Sequence, residues 1–226
     1  IYLDSGTTLN IGGTGTLNVA GSHTALYAFT GSQVTLNDAA VTISSSESGK
    51  NQSCIALNGS TFAVNGGSLN VLIPEKTVLM QSYGIYITSG ASYIQNGGDV
   101  RVINKSAGVS SIYYGINNSG TLTLNGGSLF AFGRARGVSL GNNAVMSIGE
   151  NAVFLAAAGD KGTSSSRAGI GFATGSSIDT SSGKGAINLK LDSGSTIIAA
   201  TDLTLMHKTA GGSINEITVA LPMDTY

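Results

Sequence analysis

A single-stranded right-handed parallel β-helix, all-β with three strands per coil and about eight coils, is the fold class this sequence predicts. Three observations predict it. One apolar-x-apolar, turn, apolar-x-apolar template recurs along the chain, Asn-Gly turns fall at the same place in successive copies, and charged residues are scarce.

The template fits five segments with identical internal spacing: Val34/Leu36/Val41/Ile43, Phe62/Val64/Leu69/Val71, Tyr93/Gln95/Val100/Val102, Leu122/Leu124/Leu129/Ala131 and Met146/Ile148/Val153/Leu155. Leu9/Ile11/Leu17/Val19 fits with one extra turn residue, and the register degrades near Ile178 and again from Ile197 to Leu205. Alternation over such short runs means strands with one buried face. A third strand precedes each new copy, as in Ile55-Ala56-Leu57, Ile85-Tyr86-Ile87, Val138-Ser139-Leu140, Ile170-Gly171-Phe172 and Ile187-Asn188-Leu189. Three strands in roughly 28 residues close no core alone, but stacked in parallel they bury continuous columns such as Leu69–Val100–Leu129–Val153. The right hand follows from the general preference of parallel crossovers. A propeller blade needs four antiparallel strands over about 40 residues, which does not fit.

Between the first two strands stand Asn65-Gly66-Gly67, Asn96-Gly97-Gly98 and Asn125-Gly126-Gly127, with Asn37-Asp38 in the same place. Asn and Gly tolerate the left-handed backbone of a sharp corner. Asn37, Asn65, Asn96 and Asn125 are therefore expected to stack as a structural ladder of hydrogen-bonded amides.

The repeat covers residues 1–226 as one β-helix domain. Ile1-Tyr2-Leu3-Asp4-Ser5-Gly6 parallels Leu189-Lys190-Leu191-Asp192-Ser193-Gly194, so the first residues read as a third strand in mid-coil and the N-terminal end as truncated. Ile217-Thr218-Val219 reads as the last rung.

Composition narrows the function classes. The chain has 33 Gly, 2 Pro, no Trp and 10% charged residues, and the formal net charge is −1. Such a balance offers no positive field for phosphates, so nucleic acid is not an expected partner. No apolar run reaches the ~20 residues of a membrane helix. A lone Cys54, set in a strand, reads as a buried thiol and excludes an internal disulfide framework.

No catalytic constellation is expected. Gly137-Val138-Ser139-Leu140-Gly141 matches a nucleophile elbow in letters, but no helix pattern follows it and the two histidines, His23 and His207, lie far apart in the chain. The acids, including Asp38, Glu75, Asp99, Glu150 and Asp179, are scattered, and no metal site is predicted. Calcium bridging adjacent coils is the one cofactor left open.

Two groups of outward residues stand as candidate ligand contacts. The middle residue of the second strand runs Asn18, Thr42, Asn70, Arg101, Phe130, Phe154, and apolar rings in a solvent-facing column call for cover or a ligand. Around the third strand cluster Tyr83, Tyr86, Tyr113 and Tyr114, then Arg134, Arg136 and Arg167. Rings flanked by Arg suit sugars and carboxylates through stacking and bidentate hydrogen bonds.

The N-G-G-S-L-x-V and G-I-x-I elements resemble those of secreted right-handed parallel β-helix proteins from gut and clostridial bacteria, and also autotransporter passengers and adhesins. The resemblance implies a secreted or cell-surface module of a bacterium, non-catalytic, whose partner is a polysaccharide or a host or cell-surface glycan. Pectate lyases and polygalacturonases share that fold, but their grouped Asp residues and their His and Arg-Lys motifs are not present. A passive stalk segment of a larger surface protein is the alternative expectation, and a polysaccharide lyase or hydrolase is the third.

Overall fold

The computed structural model describes residues 1–46, 52–75, 81–107, 112–159, 168–173, 176–179, 186–190, 196–198, 202–208 and 214–220. The first coils are β1 (Tyr2–Leu3), β2 (Thr8–Ile11), β3 (Thr16–Gly21), then β4 (Leu26–Ala28), β5 (Gln33–Leu36), β6 (Ala40–Ser45). Next come β7 (Gln52–Leu57), β8 (Thr61–Val64), β9 (Ser68–Ile73), β10 (Gln81–Ile87), β11 (Ser92–Gln95) and β12 (Asp99–Asn104). Thereafter the first two strands of a coil fuse across the corner: β13 (Ile112–Asn118) precedes β14 (Thr121–Gly133), and β15 (Arg136–Leu140) precedes β16 (Val145–Ala158). The chain continues through β17 (Ala168–Phe172), β18 (Ser177–Asp179), β19 (Ala186–Lys190), β20 (Thr196–Ile198), β21 (Asp202–Lys208) and β22 (Ile214–Ala220).

Every pairing from β1 to β19 is parallel, and each strand pairs with its counterpart one coil on. The parallel β-solenoid expected from the repeat is thus the fold. The third strands form one wall, β1-β4-β7-β10-β13-β15-β17, and the first and second strands form two more walls, joined by the bent β14 and β16. Among the described residues seven strands stack in the third-strand wall, fewer than the eight coils expected. The shortfall lies where the apolar register fades: β20 runs antiparallel to β19, and β21 pairs antiparallel with β22. Ile217-Thr218-Val219 therefore belongs to a hairpin and is not a last rung. Ile187-Asn188-Leu189 also changes place, since β19 stacks on Phe154–Ala156 of the second-strand wall.

Interior columns match the template over the first five copies and the first strand of the sixth. Val34, Phe62, Tyr93, Leu122 and Met146 share one column and are buried, and Val41, Leu69, Val100 and Leu129 share another. The last member of that second column is a correction. Leu129 stacks on Phe154, not on Val153; Phe154 is 0% exposed and Val153 is 49% exposed. A β-bulge causes this: Leu124 pairs with Ile148 but Gly126 pairs with Asn151, so β16 holds one more corner residue than β14. Gly149-Glu150-Asn151 lacks the Gly-Gly pair of the tighter corners. One inserted residue turns every following side chain over, which buries a phenyl ring in place of a smaller isopropyl group.

The Asn ladder forms as the spacing implies. Asn65 Nδ2 donates to Asn37 Oδ1 at 3.0 Å, Asn96 Nδ2 to Asn65 Oδ1 at 2.8 Å, and Asn125 Nδ2 to Asn96 Oδ1 at 2.8 Å. The left-handed residue of these corners is the second glycine rather than the asparagine: Gly67, Gly98 and Gly127 have φ of 70°, 75° and 78°.

Polar groups also enter the interior, and among the described residues all of their buried side-chain atoms are bonded except the Ser60 hydroxyl. Gln95 Nε2 donates to the Gly98 and Ser128 carbonyls at 3.1 and 2.9 Å. Near the corner that leads into the third-strand wall, Ser45, Gln52, Ser82, Asn104 and Ser106 form one buried hydrogen-bonded cluster, with the Asn104 amide donating to the Ser82 and Tyr114 carbonyls. Satisfied in this way, the cluster avoids the desolvation cost of orphaned polar groups and specifies the corner geometry.

Candidate functional site

The third-strand wall carries the site, because its outward columns are aromatic. Register places Tyr2, Tyr27, Ala56, Tyr86, Asn117 and Ser139 in one outward column. Beside it run Ser53, Tyr83, Tyr114 and Arg136. In a parallel stack, identical positions lie one rung, about 4.8 Å, apart, so rings in a column meet face to face or tilted.

Two ring clusters result. Tyr2 stacks on Tyr27 at 5.9 Å between centroids, and Phe29 lies 4.6 Å from Tyr27. Further along, Tyr83 lies 5.1 Å from Tyr86 and 5.8 Å from Tyr114, and the Arg136 guanidinium sits 5.2 Å from the Tyr114 centroid. Arg136 is steadied by a 2.9 Å hydrogen bond to Ser139 Oγ and lies over Gly171, where a Cβ would come within 2.6 Å of Nε. Ser139, the serine of the apparent elbow, is thus a strand residue that accepts a hydrogen bond from Arg136.

Between the clusters opens a groove of about 310 Å³ lined by Tyr27, Ala56, Tyr83, Tyr86, Asn58 and Gln52 among others. Among the described residues, no charged side chain lines it. The Tyr83 hydroxyl donates to Gln81 Oε1, also in the lining, and Thr88 Oγ1 bonds the Asn58 carboxamide oxygen at 3.4 Å. The groove therefore offers aromatic faces along its length and amides and hydroxyls at its ends.

Burial, and then the neighbouring Tyr114 and Tyr86, push the Tyr83 hydroxyl well above the ordinary tyrosine range, with Asn117 hydrogen bonding as a smaller opposing effect. Burial alone raises Tyr93 likewise. Both phenols stay protonated donors. A raised folded value means stability that is complete below the unfolded pKa of about 10 and lost as pH climbs through the folded value. In an alkaline ultraviolet titration of the 8 tyrosines, Tyr83 and Tyr93 are expected to lag until the coils unfold. Tyr93→Phe should remove one late-titrating group; full ionisation near pH 10 with native circular dichroism would contradict this placement.

The candidates from sequence divide. Tyr83, Tyr86 and Tyr114 come together, and Arg136 joins them through Tyr114. Tyr113 does not: it shares the column of Ser82 and Gln52 and is fully buried, because neighbouring residues of a strand face opposite sides and Tyr114 takes the outward one. Arg134 is held by Glu75 at 2.9 Å and does not line the groove. Arg101 and Phe130 belong to the second-strand wall, where the guanidinium lies 5.9 Å from the ring centroid and so covers it. Phe154 has left that outward column for the core, and half-buried Leu155 stands in its place beside Phe130. Arg167 lies outside the described residues.

Sequence reading missed Tyr27, Ser53, Ala56 and Gln52. The signal was present: aligning the middle residues of Leu26-Tyr27-Ala28, Ile55-Ala56-Leu57 and Ile85-Tyr86-Ile87 sets Tyr27, Ala56 and Tyr86 in one row. Among the described residues no three His, Cys, Asp or Glu side chains gather as metal ligands, and no helix is long and apolar enough to cross a membrane. The chain matches no protein-family model, and no curated protein or solved structure matches it either.

Proposed function

We propose that this chain is a non-catalytic module of a secreted or cell-surface bacterial protein that binds carbohydrate, as a polysaccharide receptor or as an adhesin for a host or cell-surface glycan. The observation that supports the reading is the third-strand groove, where Tyr27, Tyr83 and Tyr86 offer ring faces and Gln81 and Asn58 offer amides. Rings take the apolar faces of sugars, and amides and hydroxyls bond their hydroxyl groups. The sequence resemblance to secreted clostridial and gut β-helix proteins points the same way. The reading assigns no role to calcium or to nucleic acid.

Affinity electrophoresis through polysaccharide gels and glycan arrays test it. Removing one stacking ring in Tyr86→Ala should weaken retention by about two- to tenfold, on the scale of ~0.5–1.5 kcal/mol per ring contact. Glycan binding that is identical in this variant would exclude the groove as the site.

A second reading, a passive stalk segment, draws on the Asn37–Asn65–Asn96–Asn125 ladder and the unbroken columns, which suit a rod that bears load along its axis. It expects no glycan retention from any variant, the wild type included.

A further inference from the structure

The column Tyr2, Tyr27, Ala56, Tyr86 lacks a ring at one rung, and that gap gives the groove its shape. Tyr27 and Tyr86 lie two rungs apart, about 9.6 Å by the spacing of stacked strands. Tyr2 backs Tyr27 from one rung further away from the gap, while Phe29 packs on Tyr27 and Tyr83 on Tyr86 from within the same coil. Ala56 forms the floor.

We propose that this gap is a one-residue slot for an uncharged pyranose, entered edge-on and held with one face on Tyr27 and the other on Tyr86. The inference rests on the carbohydrate-binding reading and names the ligand class of that same groove. Spacing supports a puckered ring. Two contacts at ~3.5–4.0 Å span about 7–8 Å, so a flat aromatic ring would sit loosely, whereas a chair with axial hydrogens on both faces takes up the remaining ~2 Å. Chemistry supports an uncharged one. The lining residues Gln52, Ser53, Asn58, Gln81 and Thr88 bring amides and hydroxyls, and among the described residues no guanidinium or ammonium lines the slot to meet a uronate carboxylate. Arg136, the nearest candidate for that task, is engaged by Tyr114 and Ser139.

The test fills the slot. Ala56→Tyr completes the tyrosine column, and Tyr27→Ala removes one side of the slot. Binding of cellopentaose, galactopentaose and pentagalacturonate is read by saturation-transfer NMR and by tyrosine fluorescence, which no Trp obscures. The expected result is binding of at least one neutral pentamer by the wild type. It should fall tenfold or more in Ala56→Tyr, whose melting temperature is unchanged or higher, and severalfold in Tyr27→Ala. Undiminished binding by a folded Ala56→Tyr or by Tyr27→Ala would overturn the slot. Binding of pentagalacturonate alone would overturn the uncharged assignment while leaving a carbohydrate-binding module in place. Absence of binding to these probes, together with an empty glycan array, would overturn the carbohydrate reading itself.

Discussion

Phe154→Ala is expected to destabilise the protein by about 3–5 kcal/mol, the range for emptying a buried aromatic site, while Val153→Ala should change stability by no more than about 0.5 kcal/mol. The two residues are neighbours in one strand, so the contrast reads the register directly. Phe154 is fully enclosed against Leu129, and Val153 is half-exposed beyond the bulge that follows Ile148. Had β16 kept the corner of β14, the two costs would exchange. Urea titrations of both variants decide it, provided the slope with denaturant is unchanged. Deleting Glu150 is the companion experiment: it removes the inserted corner residue, turns Phe154 outward and should cost as much as losing the ring.

Gly98→Ala should cost about 2–5 kcal/mol, although it adds one methyl group at a surface corner. Two effects add. The residue holds φ at 75°, a left-handed conformation that charges a side chain ~1–2 kcal/mol. A Cβ there would also come within 2.7 Å of the Gly67 carbonyl oxygen and 2.8 Å of the Gly66 carbonyl carbon, backbone atoms of the previous coil that cannot swing aside. Relief would require separating two coils, which strains the Asn96 to Asn65 bond beside it, an overpacking cost of ~1–3 kcal/mol. Gly90→Ala serves as the control. It has a similar φ of 77° but nothing within 4 Å of the added methyl, so only the conformational part should remain. Thermal melts that shift equally for both variants would show that the stacked backbone contributes nothing.

Much of the candidate site was half legible. Tyr83, Tyr86 and Tyr114 stood out because they are aromatic residues beside a predicted strand, and they do share a face. Tyr113 looked the same in the sequence, yet strand alternation beside Tyr114 sends it inward. Ala56 was invisible for a different reason: its meaning is the absence of a ring, which has no sense until Tyr27 and Tyr86 are stacked on either side. Arg134 and Arg136 sit two apart and share a composition argument, but one meets Glu75 and the other Tyr114, because the strand starts between them.

By itself the sequence determined the solenoid, its interior columns as far as Ile148, and the Asn ladder. These depend on periodicity and on local turn chemistry, both of which are written in the order of residues, since a strand alternates its side chains and a tight corner needs glycine. Only the tertiary structure decided the bulge in β16, the end of parallel stacking after β19, and the slot above Ala56. Each of these compares one coil with the next: a bulge is an excess over a neighbour, a last rung is a strand whose next partner runs the other way, and a gap is a missing side chain between two that are present. Contacts across rungs set such features, and a chain read along its length does not contain them.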